Sequence, residues 1–272
     1  MSLDLSSEHW PLIMGILNVT PDSFSDGGRF NRSQAAVERV RQMISEGADI
    51  IDIGGESTRP GAPAVSEEEE LARVIPVIEA IRRDSAIPIS VDTSKPAVMH
   101  AAVVAGASLI NDVRALQEPG ALEVAAQLDV PICLMHMQGQ PRTMQANPHY
   151  DDVVEEVLAF LQQRIEICQA AGVAPARLIL DPGFGFGKTV QHNLALFRHL
   201  QRFVDTGHPV LVGVSRKSMI GKLLGERPVD ERLAGSLALA TLAGWLGAAI
   251  VRVHDVRESA DALTLCRAVR QA

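Results

Sequence analysis

Short apolar segments alternate with longer amphipathic segments along the 272 residues of the chain. Eight of the apolar segments have the length and the flanking turn residues that are typical of buried strands. They lie at residues 11–18, 49–55, 87–93, 108–112, 130–137, 177–183, 209–215 and 249–255. The clearest helical patterns between them lie at residues 33–47, 66–83, 152–172 and 258–271. Alternating strands and helices predict βαβ units and a parallel sheet.

Eight strand–helix units predict a single α/β domain, a (β/α)8 barrel that occupies residues 1–272. A doubly wound open sheet is the alternative, although such a sheet usually has fewer strands. Long loops are expected after strands 1, 2 and 5, at residues 19–32, 55–66 and 138–151. All three follow the carboxyl ends of strands, where a barrel of this type builds its site.

One charge-free segment, residues 233–251, is long enough to be considered as a membrane span. It is rich in Ala and Gly, however, and it divides into a helix, a turn at Gly247 and the start of a strand. We therefore expect no membrane segment, and we expect the helix to pack on the core or on a second subunit.

Two charged features are interpreted as structural. Four glutamates at residues 67–70 follow Ser66. Ser66 followed by Glu69 predicts a capping box, and the four acids predict a solvent-exposed helix start. The glycine-rich stretch at residues 181–188 ends in Lys188 but matches neither the phosphate-loop nor the dinucleotide-binding spacing. Lys188 is accordingly expected to be a surface or helix-start lysine.

Composition restricts the possible partners. The net charge of −8 disfavours a general nucleic-acid or anionic-membrane surface, and 4% aromatic residues disfavour base stacking. The three cysteines contain no CxxC pair and lie in apolar sequence, which is typical of reduced core thiols. The first ten residues have neither a basic segment nor a long apolar one, so we expect no signal peptide and a cytoplasmic location.

The carboxyl ends of the predicted strands carry polar side chains. These are Asn18, Asp52, Glu56, Asp92, Asn111, Asp112, Asp181, Ser215, Arg216, Lys217, Arg252 and His254. Period-two alternation places Ser90 with Asp92, and Arg252 with His254, on the faces opposite the neighbouring valines and isoleucines. Any one of these groups could be a helix cap, and Asp112 fits that role better than Asn111. Together they predict a shared polar ligand at the barrel mouth, because buried polar groups need partners.

The types of these groups indicate the ligand chemistry. Asp92, Asn111, Asp181 and Lys217 offer both acceptors and donors, which suits a flat heterocycle with an amidine-like edge. The cations Arg59 and Arg252, with His254 and Asn18, suit a phosphate or pyrophosphate. The residues alone predict a site for a heterocycle and an anion, and no more.

Eight longer motifs make the chain resemble the dihydropteroate synthase family of folate biosynthesis. They are MGILNVTPDSFSDGG (14–28), GGESTRPGA (54–62), VDTSKP (91–96), NDVRAL (111–116), LMHMQGQPRTMQ (134–145), DPGFGFGK (181–188), GVSRKSMIG (213–221) and RVHDV (252–256). They occur in the family's order and cover nearly the whole chain. The resemblance implies a TIM barrel, usually a homodimer, that joins 6-hydroxymethyl-7,8-dihydropterin pyrophosphate to p-aminobenzoate.

The resemblance also implies roles for individual residues. The pterin side would comprise Asp92, Asn111, Met135, Asp181 and Lys217. The pyrophosphate side would comprise Asn18, Arg59, Arg252 and His254, with Asn18 beside a Mg²⁺ ion. The p-aminobenzoate side, where sulfonamides compete in this family, would comprise Phe24, Thr58, Arg59, Pro60, Phe186 and Ser218. The catalytic set would be Asp92, Asp181, Lys217, Arg252 and His254.

Two alternatives remain at this point. A methyltetrahydrofolate-binding methyltransferase is similar in its barrel and its pterin-binding Asp and Asn, but it has no pyrophosphate to hold. The loops at residues 18–28 and 57–62 and the pair Arg252 and His254 disfavour it. A catalytically silent pterin-binding paralogue is the second alternative, and the intact loops disfavour it too.

Overall fold

Eight parallel strands form the centre of the molecule. The computed structural model describes residues 11–19, 29–57, 61–140 and 143–272. The strands are β1 Leu12–Asn18, β2 Ile50–Gly54, β3 Ile89–Asp92, β4 Leu109–Asp112, β5 Ile132–Met135, β6 Leu178–Asp181, β7 Leu211–Val212 and β8 Ile250–Val253. Each lies inside a predicted segment, because these short runs are mainly apolar and are typical of strands buried on both faces.

The strand order closes the sheet into a barrel. Neighbouring strands follow the order β6-β5-β4-β3-β2-β1-β8-β7. The remaining gap, between β6 and β7, is bridged by a parallel pairing of Leu180 with Val210. The Leu180 N–H donates to the Pro209 carbonyl oxygen at 2.9 Å. The predicted eight-stranded barrel is therefore confirmed.

Helices lie between successive strands and after the last. In the described part of the chain they are α1 Arg29–Ser45, α2 Glu67–Asp84, α3 Pro96–Ala105, α4 Ala121–Gln127, α5 Val153–Ala170, α6 Val190–Arg198, α7 Leu200–Val204, α8 Ser218–Leu223, α9 Leu233–Trp245 and α10 Val256–Gln271. The loop before α2 has its predicted bounds. The loop before α1 is shorter than predicted, because α1 begins at Arg29.

The strands separate two apolar regions. Outward-facing side chains such as Val91, Val251 and Val253 belong to the large cluster shared with the helices. Inward-facing side chains fill the lower half of the barrel. They are Leu12, Met14, Ile50, Leu109, Cys133, Ile179, Leu211 and Ile250, together with Ala249 just before β8. This cluster is an apolar floor, and the polar strand ends lie above it.

The acidic start of α2 is only partly as predicted. Ser66 caps the helix, accepting the Glu69 N–H at 3.2 Å. The Glu69 carboxylate pairs with Arg73 and not with the cap. Glu70 has no exposed surface and pairs with Lys95. The expectation of a solvent-exposed start is therefore wrong for Glu70, because α2 turns this position toward the N-terminal end of α3.

The charge-free segment has the predicted division. The helix α9 ends at Trp245, Gly247 turns the chain with φ +93°, and β8 begins at Ile250. None of the described helices is both long and apolar enough to cross a membrane. Leu242 and Trp245 on α9 and Leu265 and Val269 on α10 are at least half exposed. These four residues, with the shallow groove between the two helices, are called the α9–α10 face below.

Candidate active site

Strand register aligns the predicted polar side chains at the mouth of the barrel. Asn18 is opposite Gly54, Gly54 is opposite Asp92, and Asp92 is opposite Asn111. The ends of β1 to β4 therefore form one continuous row. Gly54 has no side chain, so the space between the Asn18 amide and the Asp92 carboxylate stays open. On the other side of the mouth, Met135 at the end of β5 is opposite Asp181 at the end of β6.

Arg252 joins the row from β8. Its Nε donates to Asp52 Oδ2 at 2.6 Å, and its Nη2 donates to Asp92 Oδ2 at 2.8 Å. Asn111 Nδ2 lies 3.4 Å from both oxygens of Asp52. Asp52 is fully buried, so it orients Arg252 and Asn111 from below. Sequence reasoning noted that strand 2 carries Asp52 but assigned it no role. Its signal was an acid in the middle of an otherwise apolar strand.

The two acids that face the open space are hard to ionise. Burial raises the pKa of Asp92 to about 7; the charge of Arg252 opposes the shift and the charge of Asp52 adds to it. Burial raises the pKa of Asp181 to about 6, although the Gly183 N–H, 2.7 Å from Asp181 Oδ1, and the Lys217 charge oppose the shift. Perturbed carboxyl groups that converge on one opening are typical of a functional site.

Two partly buried cations lie beside these acids. Burial lowers the pKa of Lys217 to about 8, and the neighbouring charge of Arg252 lowers it further, against Asp181. For Arg252, burial acts to lower the pKa, but the charges of Asp52 and Asp92 outweigh it and raise the pKa above its usual value. Arg252 therefore stays charged at any physiological pH.

An apolar wall stands beside the polar row. Met135 and Phe186 pack with Val113 and Met144, and Met137 packs against them. The Lys217 Nζ lies 4.1 Å from the centre of the Phe186 ring, a cation–π distance. A polar edge next to an apolar wall fits a flat heterocycle, which needs hydrogen bonds in its plane and packing on its faces.

The remaining predicted site residues lie apart from the polar side chains at the ends of β1 to β4 or outside the described residues. His254 contacts Ser215 Oγ with its backbone N–H at 3.2 Å and with Nδ1 at 3.0 Å. Ser218 is exposed at the start of α8. Phe24, Thr58, Arg59 and Pro60 lie outside the described residues. Within the described ranges, no three His, Cys, Asp or Glu side chains converge on a metal position.

Asp112 has a structural role, but it holds a turn and does not cap the following helix, whose N-cap is Gly120. Its carboxylate accepts the N–H groups of Arg114 at 2.8 Å and Leu116 at 2.7 Å, and the hydroxyl of Ser94. These bonds hold a turn in which Ala115 and Leu116 have positive φ values of 51° and 58°. Asp112 is therefore committed to loop geometry, whereas its neighbour Asn111 faces the open space.

Lys188 is the clearest disagreement with the sequence-based expectation. It is 3% exposed, not a surface lysine. Its Nζ lies 2.9 Å from His136 Nδ1, 2.9 Å from the Gly183 carbonyl oxygen and 3.0 Å from the Phe186 carbonyl oxygen. The glycine-rich stretch folds over the ammonium group, and local sequence does not reveal a partner such as His136, which is 52 residues away.

Fold and site together define a pterin-binding enzyme. The family described as "Pterin binding enzyme" matches residues 14–254. A dihydropteroate synthase of Haemophilus influenzae is 57% identical over 270 residues, which is 99% of this chain and 97% of the relative. The chain belongs to the dihydropteroate synthase family.

Solved structures agree with this membership. The Yersinia pestis dihydropteroate synthase with a sulfonamide drug superposes with a TM-score of 0.93 at 55% identity, covering 99% of this chain and 97% of that one. The Xanthomonas albilineans dihydropteroate synthase in complex with 7,8-dihydropteroate has a TM-score of 0.88 at 50% identity, with 98% and 96% coverage. Identity this high over whole chains excludes the open-sheet alternative and disfavours the methyltransferase.

Proposed function

We propose that this protein condenses 6-hydroxymethyl-7,8-dihydropterin pyrophosphate with p-aminobenzoate, giving 7,8-dihydropteroate and pyrophosphate in folate biosynthesis. Its relatives are named for this synthesis. The observation that carries the proposal is the row from Asn18 through Asp92 to Asn111, with Asp181 opposite. It supplies acceptors for a heterocycle directly beside the cation Arg252.

The pterin ring would bind between the polar row and the apolar wall. Asp92 and Asp181 would accept N–H bonds from the ring edge, while Asn111 and Lys217 would donate to its acceptors. Met135, 3% exposed, would pack on a ring face. Asp92 shares one carboxylate oxygen with Arg252, and the ligand would bind to the other.

The pyrophosphate would lie on the β1–β8 side of the mouth. Arg252 and His254 would contact it, with Arg59 as a third cationic contact and Asn18 at the end of β1. A Mg²⁺ ion fits this position, because Mg²⁺ takes few protein ligands when the substrate's phosphate oxygens supply the rest. The Asn18 side-chain oxygen, which faces the gap above Gly54, would hold it. When bound, Mg²⁺ neutralises charge on the leaving group.

The residues fit a reaction in which the leaving group departs first and the amine then attacks the resulting pterin cation. The carbon–oxygen bond to pyrophosphate breaks, and positive charge spreads into the electron-rich pterin. The carboxylates of Asp92 and Asp181 would stabilise that charge, and Arg252 the opposite charge on pyrophosphate. The arylamine is a neutral nucleophile at pH 7, so the site needs no strong base.

The p-aminobenzoate would bind above the pterin. Phe186 and Ser218 flank that position on the β6 and β7 sides, and the resemblance adds Phe24, Thr58, Arg59 and Pro60. Sulfonamides would compete there, in keeping with the drug complex of the Yersinia pestis relative.

The test is pyrophosphate release from a mixture of this protein, the pterin pyrophosphate, p-aminobenzoate and Mg²⁺. We expect release that requires both organic substrates and is lost on chelation of the metal. Release that does not depend on p-aminobenzoate would contradict the synthase reaction. No release would favour the catalytically silent pterin-binding protein.

We also propose a homodimer that uses the α9–α10 face. Leu265 and Val269 are 70% and 65% exposed, and Leu242 and Trp245 are about half exposed. Exposed apolar residues grouped on two neighbouring helices are typical of an interface. A monomer mass in sedimentation would contradict this. The cytoplasmic location and the lack of nucleic-acid binding remain predictions.

A further inference from the structure

We propose that Lys188 is a positioning residue for the second substrate, acting through the backbone of the loop after β6. The inference rests on the proposed function, because it concerns the side of the site that takes p-aminobenzoate. It starts from a buried ammonium group that contacts neither Asp92 nor Asp181 directly.

The ammonium group has a full set of acceptors. Three partners lie within 3.0 Å of Nζ, namely His136 Nδ1 and the carbonyl oxygens of Gly183 and Phe186. Burial lowers the pKa of Lys188 to about 7, and the charge of Asp181 opposes the shift. In its protonated form the group has three N–H donors, and each finds one of these partners. Burial, followed by the charge of Lys188, lowers the pKa of His136 to about 3, so the imidazole is neutral and its Nδ1 accepts.

The backbone of the loop after β6 is in close contact with the segment after β5. Gly183 has φ +70°, and a Cβ there would lie 1.8 Å from the His136 carbonyl oxygen. Gly187 has φ +63°, and a Cβ there would lie 2.5 Å from the Gln138 carbonyl oxygen. The loop backbone therefore lies directly on the segment after β5. Its inward carbonyl groups need a donor where water has little access, and Lys188 supplies it.

Lys188 binds the carbonyl groups of the residues that shape the site. Gly183 donates its N–H to Asp181 Oδ1 at 2.7 Å. Phe186 presents its ring to Lys217 Nζ at 4.1 Å. Asp181 stands on β6 itself, whereas the backbone of Phe186 belongs to the loop and only its ring packs on the apolar wall. Loss of the ammonium group should therefore displace Phe186 more than Asp181.

The test compares K188M with K222M, which alters an exposed lysine on α8. Met keeps the length of the Lys188 side chain and removes its donors. We expect K188M to raise the KM for p-aminobenzoate about tenfold or more, since small displacements of positioning groups have effects of that order. The KM for the pterin pyrophosphate should change less. K222M should match the unaltered enzyme.

The outcomes separate positioning from stability alone. If K188M lowers only the Tm and leaves both KM values within about twofold of those of K222M, the positioning role is refuted. If K188M does not fold, a comparison of the variants H136L and H136N tests the positioning role instead. H136N keeps an acceptor near the Nδ1 position, so its KM for p-aminobenzoate should rise less than that of H136L. Equal values would overturn the inference. An inactive unaltered enzyme would instead refute the proposed function.

Discussion

Asp181 is placed where its charge is difficult to maintain. It is 6% exposed, and burial raises its pKa to about 6. The Gly183 N–H and the Lys217 charge partly compensate, but neither neutralises the carboxylate. Among the described residues, the carboxylate accepts the Gly183 N–H. A carboxylate with capacity left for further donors can accept N–H bonds from a ligand and stabilise positive charge that develops on it.

D181N should reduce turnover roughly 100-fold or more, the size expected when one preorganised electrostatic group is lost. The amide keeps the shape and one acceptor but loses the charge. Pyrophosphate release at saturating substrates measures the effect. D129N, an exposed position at the opposite end of the barrel, is the control. Near-normal turnover of D181N would refute the assigned role.

The same substitution should stabilise the free protein at neutral pH. The pKa of Asp181 is about 6 in the folded state against an ordinary value of 3.8, so the folded protein binds more protons between about pH 4 and 6. Stability from this group therefore falls as pH rises through that window. The loss amounts to roughly 3 kcal/mol at pH 8.

Urea unfolding of both proteins from pH 4 to 8, without substrate, measures this effect. The advantage of D181N should grow across the series and be smallest at pH 4. A constant difference at all pH values would show that Asp181 titrates normally in the folded protein.

Activity should fall on the acid side for the same physical reason. Asp92 and Asp181, with pKa values raised to about 7 and about 6, must be ionised to accept ligand N–H bonds. We expect kcat/KM to decrease as pH falls from 8 to 5, as the pair takes up protons. The pH profile of pyrophosphate release measures this. A profile that stays level down to pH 5 would contradict the raised values.

The loop after β6 depends on glycine for two separate reasons. Gly183 needs its positive φ, and it also needs the absence of a side chain against the His136 carbonyl. Gly207 has a similar φ of +80° but has open space around its Cβ position. Substitution of the two glycines by alanine therefore distinguishes the effect of backbone strain from the effect of a steric clash.

G207A should destabilise the protein by about 1–2 kcal/mol, the strain of an L-residue at positive φ. G183A adds a severe clash with backbone and should destabilise it considerably more while also reducing activity, because Gly183 donates to Asp181. Unfolding and turnover of both variants provide the comparison. Equal destabilisation would mean that the loop moves away from His136 without difficulty.

The strands and the polar strand ends could be predicted from sequence because the pattern that indicates each of them lies within a few adjacent residues. A run such as residues 87–93 shows its burial and its inward face directly. The roles of Asp52, Glu70 and Lys188 could not be predicted in this way. Glu70 pairs with Lys95 and Lys188 with His136, and only the closed barrel brings these partners together.

In the whole molecule, the site and the α9–α10 face lie on different parts of the barrel. The site uses the carboxyl ends of the strands, whereas the apolar face lies on the outer helices before and after β8. Association of two chains through this face would bury apolar surface without covering the mouth.

L265K with V269K should therefore convert a dimer to a monomer. Two buried lysines at an interface would lose hydration without gaining partners. Sedimentation velocity measures the mass, and V104K, an equally exposed apolar position on α3, is the control. A dimer that persists in the double variant would place the interface elsewhere.

The apolar floor closes one end of the barrel in the described part of the chain. Side chains from Leu12, Ile50, Leu109, Ile179 and their neighbours close the lower end. If the pterin binds at Asp92 and Asp181 with the arylamine above it, as proposed, the site would be closed below. The pterin would then have to bind before the arylamine, and the joined product would have to leave with its arylamine end first.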